Sequence, residues 1–478
     1  MTNLFHLFGL WLCFICLYTD VLGQKVLVSP ELNMRNDFAY YIIHGKNEQV
    51  HLVRDKSYRL TIQSLSNSNE WTTEIPIELK GRKWKVMEVI AHQSEISIFY
   101  HSIMDQNHVL FHSKYKANGE LVNEDTIHFK KLNQIKPSYK IKISANQSKI
   151  CFGYLDQDHK HHVVLYDRFK NKMLYDTCVT DLLHYDDNSV NEIELSDEGE
   201  IFLIGEIQEK KFIKKKIIYR LSQISSIGSI LSEKDIYFDE FWPLDLKMKF
   251  NPLNKKLCIS GLSSERNSET PIGFYSVLWD TNENEAPLVF QDISSDLFKE
   301  WTGKDKKKSV TNNLLTESIH FTDSGNMLVF YESNKELTRK PYFNSVAEGP
   351  LNVSRWTDYY YEDILAINFS ADQNIAWQKV LHKKQFSQDD DGLFSSFFVL
   401  STSDYLRIIF NDEIKNESTV SEYILLPTGE YLRKSILNTT SQNLYLRIKD
   451  AVQINANTLL VPSESNGKMN LVRISFEE

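Results

Sequence analysis

Short runs of Val, Ile, Phe and Tyr recur along the chain, bounded by Asn, Asp, Gly and Ser, and long stretches of helical period are nearly absent. Alternation with turn residues between runs predicts strands. The segments IELSDEGEIFLIGE (193–206) and IHFTDSGNMLVFYE (319–332) align without a gap, each an alternating strand, a polar turn and a more continuously apolar strand. The same form appears in IKISANQSKICFGYL from Ile141 and MKFNPLNKKLCISGL from Met248. Unit starts follow near Phe38, Lys85, Tyr139, Val190, Leu246, Ser318, Phe397 and Leu446. The spacing is roughly fifty residues, with two longer intervals in units five and six.

Most units hold four strands. In the fourth these are NEIELSD, EIFLIGEI, KKKIIYRL and the run around DIYFDE. The segments NEWTTEIPI around Trp71 and NIAWQKVLH around Trp377 read as related fourth strands. Serial four-stranded units predict an all-β fold, a β-propeller. Eight blades fit the unit starts best, and seven is the alternative because the strands of the first unit are short. The last unit has room for three strands (YLRIKDAVQI, NTLLVPS and MNLVRISF), and KVLVSPEL near the N-terminus is a spare strand. An unpaired edge is a liability, so the spare strand is expected to complete the last blade and close the ring. Insertions are expected at about 299–316 and 333–358. In repeat folds insertions gather on one face, often the binding face.

The first residues, with the apolar run LFHLFGLWLCFICLY ending before Gln24, read as a secretory signal peptide over 1–23. The run is too short for a comfortable bilayer span. Its leading Met-Thr-Asn carries no Lys or Arg, so a retained anchor is the competing reading. The remainder, 24–478, is read as one propeller domain, exported and not an integral membrane protein. Three cysteines follow the leader, Cys151, Cys178 and Cys258, and an odd number allows at most one internal disulfide. Hydrophobic residues make up 42% and charged residues 25%, ordinary for a globular chain. The net charge of −10 gives no basic excess to point toward nucleic acid.

Signal peptide, Lys/Asn/Tyr/Ile-rich composition, S/T-D-x-G turns and W-x-x-x-[IV] fourth strands together resemble the exported propeller-like proteins of Bacteroidota. That resemblance implies a periplasmic setting, with the cell surface or extracellular space as alternatives, and a role in binding a ligand or partner. It transfers no catalytic residue.

Local chemistry is sparse. Asp197 with Gly199, and Asp323 with Gly325, fall between strands, where Asp bonds turn backbone and Gly accepts positive φ; they are read as turn residues. DQDHKHH (156–162) offers His159, His161 and Asp158 as weak metal candidates at a hairpin tip. QDDDG (388–392) resembles part of a calcium loop but lacks the distal Glu. KKFIKKK (210–216) and KDKKK (304–308) are local basic clusters. The densest aromatic and polar stretch is RWTDYYYED. It makes Arg355, Trp356, Tyr359, Tyr360 and Tyr361 the leading partner-binding candidates, since Trp, Tyr and Arg dominate binding hot spots and flat rings suit sugars. Trp242 in FDEFWPLD and Trp301 form a second aromatic candidate. No G-x-S-x-G, H-E-x-x-H, P-loop, Rossmann fingerprint or tryptophan-docking repeat occurs, so neither a catalytic residue nor a cofactor is assigned.

The expected function is therefore that of an exported binding or scaffold protein holding an envelope or outer-membrane protein partner, or a glycan or peptide ligand. Two alternatives remain. One is a glycan- or peptide-directed hydrolase or lyase, with acidic or His side chains from several blades converging on the mouth. The other is a component of an outer-membrane protein assembly.

Overall fold

A computed structural model describes residues 24–476, apart from 46–47, 58, 67, 132–137, 157–159, 180–191, 208–216, 267, 284, 304–312, 340–354, 413–418 and 440–442. The signal-peptide reading lies outside these residues. Antiparallel sheets are arranged as an eight-bladed β-propeller. The innermost strands, blades 1 to 8, are Ala39–His44, Arg82–His92, Lys140–Ile143, Glu192–Leu195, Lys247–Asn251, Leu314–Phe321, Phe397–Ser401 and Val452–Asn455. The first seven begin within a few residues of the starts read from the repeat. The eighth differs: Ile448–Asp450 is a 3₁₀ turn, so the first strand of the last blade starts at Val452 rather than near Leu446. Blade 1 is complete, with Val50–Lys56, Arg59–Leu65 and Ile75–Ile77 following its inner strand, which removes the seven-bladed alternative.

Closure is made by the N-terminal strand. Lys25–Val28 pairs antiparallel with Lys468–Ser475, placing Val26 opposite Ile474 and Val28 opposite Val472. Val26 and Val28 pack with Val472 and Ile474 against the apolar cluster between blades 7 and 8. Between blades 8 and 1, Val50, Leu52 and Leu65 meet Leu460, Met469 and Leu471. The core is thus not one central mass. It is divided into eight inter-blade clusters, one at each junction of the ring. Period-2 alternation in both directions explains this, because each blade is covered on both faces by neighbours. Cys151 and Cys258 lie buried in such strands as small apolar residues.

The matching turns also have a common form. Ser196 N–H donates to Glu200 O, Gly199 N–H donates to Ser196 O, and Ser196 Oγ accepts from Glu200 N–H at 3.0 Å. Thr322, Gly325 and Asn326 repeat this pattern, with Gly199 at φ 98° and Gly325 at φ 81°. The hydroxyl, not the Asp expected for that task, caps the turn. Asp197 instead reaches the preceding blade and accepts from Asn146 N–H at 2.8 Å. The two tryptophans read as kin likewise join blades: each indole donates at 2.9 Å to a proline carbonyl, Trp71 to Pro30 and Trp377 to Pro427.

Because strands alternate in direction, turns between first and second strands and between third and fourth emerge at one end of the ring. Second-to-third connections and blade-to-blade connections emerge at the other. Both expected insertions, and both basic clusters, fall on connections of the second end, called here the long-loop end. Those basic clusters lie outside the described residues. No helix among the described residues is long and apolar enough to cross a membrane.

Replacing Val26 and Val28 together by Asp should destabilise the protein by roughly 2–5 kcal/mol, by putting carboxylates against Ile474 and Val472. The Lys468–Ser475 strand would then be an open edge. A lowered melting temperature together with self-association on light scattering is the expected result.

Candidate functional site

The long-loop end is most elaborated at blade 6. Its second and third strands, Met327–Arg339 and Trp356–Phe369, are far longer than the seven-residue second strands of blades 1, 3 and 4. After a register shift between Glu332 and Asn334, six further pairs run from Asn334↔Tyr361 to Arg339↔Trp356. At about 3.3 Å per residue the hairpin continues roughly 20 Å past the shift. A fifth strand, Gln385–Gln388, pairs with Asp358–Tyr361, so the extension is three-stranded. The ends of the expected 333–358 insertion are therefore strand, and 340–354 lies outside the described residues.

Alternation divides the RWTDYYYED aromatics between two faces. Tyr359 and Tyr361 lie under the return loop. Tyr359 donates its hydroxyl to Asp391 Oδ1 at 3.0 Å, and Tyr361 lies against Gly392. Gly392 has φ 63°, and a Cβ there would come within 2.8 Å of the Tyr361 ring, so both conformation and space require glycine. The carboxylates of QDDDG are occupied by protein donors: Asp389 accepts from Thr357 N–H at 2.8 Å, and Asp390 from Ser387 Oγ at 2.7 Å. They pin the return loop to the extension. The opposite face carries Trp356 and Tyr360 with Phe386 and Arg339. Tyr360 and Phe386 have ring centroids 5.1 Å apart, and Arg339 Nη2 donates to the Tyr360 hydroxyl at 3.1 Å. Arg339 also pairs with buried Asp358 at 2.6 Å. Arg355 is exposed at the strand entry.

Trp301 is placed elsewhere. Ser295–Thr302 is a short helix capped by Ser294, whose side chain accepts from Leu297 N–H, and stopped by Gly303 at φ 67°. Leu297, Phe298 and Trp301 share its inner face and enter the core between blades 5 and 6. The expected 299–316 insertion thus begins inside a helix that the sequence reading missed. Its signals were legible: a serine N-cap, an i, i+1, i+4 apolar face and a glycine stop. Trp242 is half-buried in a two-residue strand beside Ser264. The structure does not bring it to the blade 6 extension. Asp158 and His159 lie outside the described residues. His161 begins a strand opposite Val179, and no group of three metal-binding side chains occurs among the described residues.

At the base of the extension lies a charged cluster that the sequence did not reveal. Lys383 Nζ sits 2.7 Å from Glu332 Oε1, both side chains fully buried, and Ser396 Oγ donates to Glu332 Oε2 at 2.7 Å. Lys383 also donates to Gln385 Oε1 at 2.9 Å, which ties the pair to the return strand. Nearby, Glu317 is the residue skipped by a bulge in the inner strand of blade 6. Burial, then the neighbouring Glu332 charge, push its carboxyl up to about 7, with Asp245 adding in the same direction. On other inner strands, burial also raises Glu88 and Glu194, in blades 2 and 4. Glu194 is held by an ion pair with Lys142 from blade 3.

No family model matches the chain, and no curated protein matches it. Among solved structures it is similar to a protein of unknown function from Bacteroides caccae, at 10% identity over 70% of this chain and 94% of that one, with TM-score 0.28. It is also similar to the β-propeller domain of the Trilobed protease from Pyrococcus furiosus, at 9% identity, 84% and 95% coverage and TM-score 0.37. BamB from Moraxella catarrhalis gives 8% identity, 94% and 100% coverage and TM-score 0.38. Likeness at this level transfers no residue role and no activity.

Glu317 has a signed consequence for stability. Its folded pKa lies above the unfolded value, so the unfolded chain loses its proton first and stability falls as pH rises from about 4.5 through about 7. Glu317→Gln should remove that fall, gaining on the order of 1–3 kcal/mol over wild type at pH 8 relative to pH 5. Urea unfolding at the two pH values measures it.

Proposed function

We propose that the protein is an exported binding or scaffold propeller that holds a partner on its long-loop end, in the cell envelope. The observation that carries this reading is the three-stranded extension of blade 6. It reaches past the blade, is braced from behind by the Asp389–Gly392 loop, and turns Trp356, Tyr360, Phe386 and Arg339 to one side. Rigid aromatics beside an arginine suit a protein or peptide surface, because they bury large area at little cost in side-chain entropy. Bracing reduces what must be ordered on binding. Arg355 stands exposed where the chain enters the third strand of blade 6. Trp301 supports the helix between blades 5 and 6 and takes no part in the contact.

A hydrolase or lyase acting at the mouth is the second reading, supported by the raised carboxyls of Glu317, Asp245 and Glu88. Glu317 and Glu88 belong to blades 6 and 2, on opposite sides of the ring. Asp245 already accepts from Leu262 N–H and from the Thr316 hydroxyl at 2.8 and 2.9 Å. Those bonds give it a structural task, and the binding reading is preferred.

The test is affinity purification of the tagged protein from its native envelope, comparing wild type with the Trp356→Ala/Tyr360→Ala double variant. The melting temperature should be little changed, because both rings stand on the extension. Recovery of the specific partner should fall by at least about tenfold. Equal recovery by a folded double variant would remove the extension as the binding surface.

A further inference from the structure

A cavity of about 600 Å³ opens where blades 8, 1 and 2 meet. Its wall takes Phe38, Tyr40 and Tyr41 from the entry and inner strand of blade 1, Glu88 from blade 2, and Arg447 and Glu464 from blade 8. Asp37, Phe38, Arg447 and Asp450 belong to blade-to-blade connections, which puts its opening on the long-loop end, across the ring from blade 6. Its volume lies in the range of small-ligand sites, and its mixed apolar and polar lining is typical of them.

The charges of the wall are mostly spent on one another. Asp37 is held by Arg54 at 2.6 Å, with both side chains buried. Arg447 is held by Asp450 at 2.6 Å and by Glu464 at 2.7 Å, and it stacks 5.6 Å from the Tyr40 ring centroid. The Tyr40 hydroxyl donates to Glu464. Arg447 is thus neutralised twice over and is not offered to an anion. Glu88 is different. Among the described residues its one bonded partner is its neighbour, Val89 N–H, at 3.1 Å, and no basic side chain answers its charge. Tyr41 lies close enough to feel that charge, and Phe38 at the rim is 73% exposed.

We propose that this cavity binds an organic cation, the amine or guanidinium of a lysine or arginine side chain or of a free polyamine, with Glu88 as its counter-ion and Tyr41 and Phe38 as aromatic walls. A cation answers both features of the wall, because a carboxylate pairs with it and ring faces attract it. A neutral sugar would leave a half-buried carboxylate unpaired, and an anion would meet the surplus acidic charge. The site stands apart from the blade 6 surface, so the two readings fail separately.

Calorimetric titration of the folded mature chain tests this with three probes: an acetylated Ala-Ala-Arg-Ala-Ala amide, its neutral citrulline counterpart, and spermidine. The expected result is binding of the arginine peptide or of spermidine at concentrations up to about 1 mM, and weakening by at least about tenfold in Glu88→Gln and in Phe38→Ala. Citrulline in place of arginine should weaken the peptide similarly. Binding of the peptide alone assigns the cation to a basic segment, and binding of spermidine alone assigns it to a free polyamine. The proposal is overturned if neither cation binds, if citrulline binds as well as arginine, or if Glu88→Gln keeps wild-type affinity. Should Glu88→Gln fail to fold, unchanged affinity in Phe38→Ala, where the ring is exposed, overturns it equally.

Discussion

Everything in this ring depends on one antiparallel pairing, Lys25–Val28 with Lys468–Ser475. Each blade buries its faces only against its neighbours. The eight inter-blade clusters are mutually conditional, and the one between blades 8 and 1 exists only if the two chain ends meet. Ser29 strengthens the seam, with its N–H donating to Leu471 O and its hydroxyl accepting from Leu471 N–H at 2.9 Å. Asn470 Nδ2 donates in turn to Ser29 O at 2.9 Å. Joining segments so distant in sequence carries a closure cost, but that cost grows only slowly with chain length.

Closure also sets where function can reside. With every inner strand running the same way, one end of the ring receives the compact hairpin turns and the other receives the connections that vary. On the first end, the turns at Ser196, Thr322, Ser225, Lys116 and Leu426 share one hydrogen-bond pattern and a glycine at the same place. The second end holds the blade 6 extension, the buried Lys383–Glu332 pair that anchors its return strand, and the cavity beside the seam. A fully buried ion pair is a poor source of net stability, yet it penalises any register that leaves either charge alone. Its place between the Gln385 strand and blade 6 fits that role.

Much of the fold was legible in the sequence because its causes are local. Alternation marks strands within a few residues, turn residues mark the hairpins, and repetition of the unit multiplies a weak signal eightfold. The spare strand KVLVSPEL could be assigned because an incomplete blade has only one remedy. The site was legible only in part. RWTDYYYED announced itself by composition, but the division into a braced face with Tyr359 and Tyr361 and a free face with Trp356 and Tyr360 follows from pairing with Gln385–Gln388, a short segment with no strong strand signature. Trp301 looked like a surface aromatic because its short helix was read as part of a loop.

The sequence by itself determined the four-stranded unit, the order of its strands and the means of closing the ring, since each follows from periodicity, turn chemistry and the need to cover an edge, while the choice of eight blades over seven rested on the complete first blade. Tertiary structure alone decided which charges are satisfied and which are left over. Glu88 reads as an ordinary polar position in a strand, Tyr41 as an ordinary alternating aromatic, and Arg447 as one base among many. They acquire meaning only when the closed ring brings blades 8, 1 and 2 together, so that Arg447 is neutralised by Asp450 and Glu464 while Glu88 faces the same cavity with no base beside it. Charge balance is a sum over neighbours in space, and no local pattern along the chain contains it.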